Sequence, residues 1–93
     1  MITSRKKRSI KRRLNSERPT IWIGKEGATS QIQGEICRQL EQKEVVKVKM
    51  LKTALKDEDA AQIAFRLAQQ TESELIDLRG HTFILYKQRK HEM

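Results

Sequence analysis

The chain has 93 residues, 20 lysines and arginines against 12 acidic side chains, and one cysteine. That length supplies one modest hydrophobic core. A lone Cys37 excludes an intramolecular disulfide, and His81 and His91 are too few to complete a zinc site with it. The apolar runs are too short to cross a bilayer, and Met1 leads into charged residues instead of a signal-peptide core, so a single soluble, cytoplasmic domain is expected over 1–93.

The basic charge is concentrated at the ends. Residues 1–20 carry eight basic side chains and one acidic, residues 21–86 nine basic and ten acidic, and residues 87–93 three basic and one acidic. A near-neutral body with two basic ends points to a polyanionic partner, with RNA, DNA and anionic lipid all open on charge alone. A solvated tail that only aids solubility is the bland alternative.

In chain order, residues 4–15 lack Gly and Pro and carry Ile10 and Leu14 at i, i+4, which predicts a basic helix whose sparse first turn frays. Pro19 ends that segment, and Ile21 to Ile23 form a first strand. Gly24-Lys25-Glu26-Gly27 then makes a GxxG loop, followed by a helix capped at Thr29 or Ser30 with Ile32, Ile36, Cys37 and Leu40 on one face. Glycine lets a main chain approach a phosphate, and the first-turn amides of a helix favour an anion. Inside that helix, Gly34 either weakens it or admits a close neighbour.

Val45 to Met50 alternates with period two, setting Val46, Val48 and Met50 against Lys47 and Lys49 on a basic outer face. Asp57, Glu58 and Asp59 open a third helix with Ala60, Ile63, Ala64, Leu67 and Ala68 on its inner face. Capping and the helix dipole account for these acids without a metal. Leu75 to Arg79 and Thr82 to Tyr86 flank Gly80-His81 and predict an antiparallel hairpin. The order α-β-α-β-α-β-β predicts an α/β fold, a four-stranded mixed sheet packed with three helices in two or three layers.

Three blocks, Ile23 to Thr29, Glu44 to Lys49 and Leu78 to Lys87, together resemble the CRM domain, the YhbY-like family. The resemblance covers nearly the whole chain. It implies a fold similar to the C-terminal domain of translation initiation factor three, and an RNA contact at the GxxG loop similar to that of KH domains. It further implies a role in maturation of the large ribosomal subunit. Two departures stand out: Thr71-Glu72-Ser73-Glu74 replaces a small glycine-containing turn after the third helix, and the N-terminal segment is more basic than in many members.

The expected mechanism is backbone recognition, by a monomer, of ribosomal RNA or a pre-ribosomal particle, with no small-molecule substrate, cofactor, metal or membrane. Gly24 and Gly27 would admit a phosphate, amides near Thr29 would bind it, and Lys25 would supply charge. Arg5, Lys6, Arg8, Arg12 and Arg13 would extend the track, on the expectation that the first helix enters the sheet next to the loop. Glu26, which would repel phosphate, is expected to point outward. Lys47 and Lys49 either touch RNA or keep the strand's outer face soluble. Trp22 and Tyr86 are expected to pack in the core or on the sheet, leaving no stacking platform. Enzymatic function is disfavoured, because His81, His91 and Cys37 stand apart from paired carboxylates, and no P-loop or HExxH pattern occurs. An Alba-like dimer coating DNA or RNA is the main alternative. Ile10 and Leu14 offer too small an apolar face for a membrane-surface helix.

Overall fold

The computed structural model describes residues 3–55 and 58–88. Asp57, His91 and the basic tail beyond Gln88 lie outside the described residues. The elements run α1 (Ser4–Asn15), β1 (Ile21–Ile23), α2 (Ser30–Lys43), β2 (Val45–Met50), α3 (Ala60–Gln70), β3 (Glu74–Arg79) and β4 (Thr82–Tyr86), with a short 3-10 turn at Lys52–Leu55 that the sequence did not signal.

Capping fixes the helix starts. Thr3 accepts from the Lys6 amide and Thr29 from the Ile32 amide. Asp59 and Gln62 form a reciprocal capping box, so α3 begins one residue after the acidic run instead of within it. Glu58 pairs with Arg66, which gives the second described acid a structural partner. The α3 exit, in doubt from the sequence, is a Schellman turn: the Glu72 amide bonds the Gln69 carbonyl at 3.2 Å and the Ser73 amide the Ala68 carbonyl at 2.8 Å. Glu72 takes φ +54° to make it, where glycine is the usual residue.

The sheet order is β1-β2-β4-β3. β1 is parallel to β2, and β4 is antiparallel to both β2 and β3. α2 and α3 cover one face, where Ile36, Leu40, Ile63 and Leu67 pack on Ile23, Val48, Met50, Phe83 and Leu85. α1 lies alone on the other face, where Ile10 and Leu14 pack on Val45, Ile76, Ile84 and Tyr86. Of the two layer counts left open, three layers is correct.

A β-bulge in β3 makes the two faces compatible. Leu75 pairs with Leu85 and Asp77 with Ile84, leaving Ile76 as the extra residue. Strict alternation would have sent Asp77 into the α2/α3 core. With the bulge, Leu75 and Leu78 meet that core, while Ile76 joins the α1 cluster.

Candidate functional site

The GxxG loop leaves the end of β1 and returns into α2. Gly27 adopts φ +74°, its amide donates to the Gly24 carbonyl at 2.9 Å, and its carbonyl accepts from the Thr29 amide at 3.0 Å. A Cβ on Gly27 would meet nothing within 4 Å, so the requirement there is conformational. Gly24 has no such need: a Cβ there would make an ordinary 3.8 Å contact with Leu51. Of the amides near Thr29, those of Thr29 and Ile32 are already used, which leaves Ser30 and Gln31 at the first two helical positions as anion donors. Gly34 has no neighbour that a Cβ would touch, so its effect is to weaken α2.

Lys25 and Glu26 are exposed, and both line the hollow beside the loop with Gln31, Ile32 and Glu35. The outward placement expected for Glu26 therefore keeps it in solvent at the rim of the hollow. Hydrogen bonds from Arg38 and then Gln39 hold the Glu35 carboxyl below the usual carboxylate range. A phosphate arriving here meets the Glu26 carboxylate as well as Lys25, with Glu35 already paired to Arg38, so the loop contributes position more than charge.

The burial of Ile10 and Leu14 fixes which side of α1 faces outward. Arg5, Arg8 and Arg12, at i, i+3 and i+7, form an exposed row opposite it, and α1 contains no acidic residue. Arg13 is also exposed, on a flank. Lys6 instead lies on the sheet side, its ammonium 4.8 Å from the centroid of the Tyr86 ring. A side-chain hydrogen bond with Tyr86 raises its pKa.

Loop and helix are not adjacent as expected. β1 ends level with the end of β2, where Ile23 pairs with Met50. Lys6 sits over Tyr86, which pairs with Val45 at the start of β2. The beginning of α1 and the GxxG loop thus stand at opposite ends of the sheet, roughly 17 Å apart along β2. The chain enters β1 from α1 at the strand's start, while the loop leaves from its end.

The two strand lysines differ. Lys47 is half-buried, and its ammonium donates to the carbonyls of Leu14 at 2.7 Å and Glu17 at 2.8 Å, tying the end of α1 to the sheet. Lys49 is exposed. Tyr86 is buried as expected, but Trp22 is 52% exposed, because α1 covers the sheet away from edge strand β1. Sequence reasoning missed the groove this leaves, of about 400 Å³, floored by Trp22, Lys49, Thr82 and Arg79 and walled by Arg18 and Pro19. The only signal in the sequence was a large aromatic at the outward position of a three-residue strand.

Among the described residues, no group of three His, Cys, Asp or Glu side chains could hold a metal ion, and no helix is long and apolar enough to cross a membrane. His81 is exposed in the hairpin turn and Cys37 is partly buried on α2.

The fold and its loop define a class: a mixed α/β sheet whose edge strand delivers a GxxG turn to a capped helix, with a separate basic helix on the opposite face. Within that class, the chain matches the CRS1/YhbY (CRM) domain over residues 2–87 and belongs to that family. It is 35% identical over 89 residues to "Probable RNA-binding protein MJ0652" of Methanocaldococcus jannaschii, an alignment covering 96% of this chain and 66% of that protein. The chain therefore spans just under two thirds of that relative's length. It is 30% identical over 90 residues to "Probable RNA-binding protein YqeI" of Bacillus subtilis, covering 97% and 92% respectively. The solution structure of the hypothetical protein SAV1595 from Staphylococcus aureus superposes with a TM-score of 0.77 at 28% identity, covering 100% of this chain and 95% of that one.

Proposed function

We propose that this protein binds RNA through its sugar-phosphate backbone and catalyses no reaction on it. The observation that carries this reading is the outer face of α1, where Arg5, Arg8 and Arg12 stand exposed in a row on a helix without a single acid. Arg13 adds charge on its flank, and Lys6 adds charge on the sheet side, over Tyr86. The second contact is the loop: Gly24 and Gly27 let the backbone approach, Lys25 supplies charge, and Thr29 fixes the helix start that presents the Ser30 and Gln31 amides. Glu26 sets a limit on how many phosphates the loop accepts. Two curated relatives carry RNA binding in their names, which favours RNA over DNA.

Following the family resemblance, the RNA is ribosomal, met by a cytoplasmic monomer during maturation of the large subunit. Crosslinking in cell lysate and sequencing of the bound RNA tests the proposal. Enrichment of ribosomal precursor RNA is expected, with loss in Gly27→Asp and partial retention in Gly27→Asn, which keeps the side-chain size without the charge. Unchanged crosslinking in Gly27→Asp would remove the loop from the site. Competition between structured RNA and duplex DNA, with native mass, tests the rest: a dimer preferring duplex DNA would overturn the proposal.

A further inference from the structure

We infer that the groove beside the end of α1, on the α1 side of the sheet, is a third RNA contact, in which an unpaired base stacks on Trp22. The inference rests on the RNA-binding reading and assigns part of the binding to a surface that reading does not use. Sheet register builds the floor of the groove. Trp22 pairs with Lys49, Lys49 with Thr82, and Thr82 with Arg79, so these four side chains form one row across all four strands on the α1 side. The neighbouring row holds Lys47, Ile84 and Asp77. Among the described residues lining the groove, Asp77 is the one acid, and it is held by Arg79 at 3.6 Å and Lys11 at 3.9 Å.

Phe83 is fully buried, whereas Trp22, the chain's single tryptophan, is 52% exposed. Around it, Arg18, Lys47, Lys49 and Arg79 outnumber Asp77, so the occupant that fits is anionic. An aromatic face set among cations is the pairing used to hold single-stranded nucleic acid, with the ring taking a base and the cations its flanking phosphates. Trp22 lies two residues before Gly24, and Arg18 lies three residues past the end of α1. A strand crossing the groove would therefore connect the two contacts that the fold holds apart. A second copy of this chain is the competing occupant, disfavoured because two such basic faces would repel.

Trp22 is the chain's only tryptophan, so its fluorescence reports on the groove alone. The experiment titrates the full chain with an unstructured RNA of about 12 nucleotides and with an RNA duplex, following Trp emission and, separately, the anisotropy of end-labelled RNA. The single strand should quench emission in step with binding, and the duplex should bind with little quenching. Trp22→Ala should weaken single-strand binding about tenfold, and Trp22→Phe less, while both keep the wild-type circular dichroism because the ring is exposed. Binding without quenching, or quenching with unchanged affinity in Trp22→Ala, would overturn the stacking site while leaving RNA binding intact. Emission that shifts with protein concentration before RNA is added, and a loss of dimer in Trp22→Ala, would assign the groove to self-association. Failure of the wild type to bind either RNA at low salt would remove the RNA reading itself.

Discussion

The two faces of the sheet are built for different ends. On the α2/α3 face, Ile23, Ile36, Val48, Met50 and Phe83 are fully buried under two helices. On the α1 face, one helix covers Val45, Ile76, Ile84 and Tyr86 and leaves the β1 side open, with Trp22 in water. The first face contributes most of the apolar burial and hence most of the stability. The second carries the basic helix and the groove, and its cover is held by two apolar side chains and a few polar ties. If RNA is bound mainly by the α1 face, as proposed, stability and most of the recognition are separated, and a change on one face should leave the other property largely intact.

The largest expected effect belongs to the sealed face. Phe83→Ala should cost about 3–5 kcal/mol by cavity formation, enough to unfold much of a small domain, as read by thermal or urea melts. Leu14→Ala on the open face should cost less, about 2 kcal/mol, because a site beside a groove relaxes more readily. Hydrogen exchange distinguishes the two: Leu14→Ala should expose the amides of α1 while those of β2, β4 and α3 stay protected. Equal exposure of both layers would contradict the separation. Lys25→Ala should weaken RNA binding by about 1 kcal/mol without moving the melting curve. The smallest effect is a gain: Glu72→Gly relieves the left-handed φ at the α3 exit and should add about 0.5 kcal/mol, with RNA affinity unchanged.

Local patterns carried the sequence reading a long way, and non-local ones did not. The spans of α1 and β1, and the hairpin at Gly80-His81, follow from neighbours in the chain, and the structure reproduces them. Thr29 proved to be the α2 cap because its hydroxyl is placed to accept from the amide three residues on. The sheet order was not legible, since nothing in β2 alone says that it lies between β1 and β4. Two consequences followed. Lys47 read as an outward strand lysine, yet the end of α1 arrives over it and supplies two carbonyls. Trp22 read as packed, yet no helix reaches the edge strand it occupies. The bulge at Ile76 was equally hidden, although the unbroken Leu75-Ile76-Asp77-Leu78 run conflicts with alternation and marks where one had to occur.

The site divides in the same way. Gly27, Lys25 and the arginine row of α1 could be found from motif and periodicity. The distance between the loop and the beginning of α1 could not, because it depends on which strand end each element meets. Under the proposed function, Glu26 beside the loop makes the arginines the larger source of attraction, and attraction to a polyphosphate chain has a direct signature in salt. The slope of log K against log salt for the full chain on single-stranded RNA is the decisive measurement. About five phosphate contacts predict a slope near −3 to −4, and Arg8→Ala with Arg12→Ala should reduce it by roughly 1.4, whereas Trp22→Ala should lower affinity and leave the slope in place. A slope near zero, or one that the paired arginine substitutions do not change, would contradict backbone recognition by the basic helix.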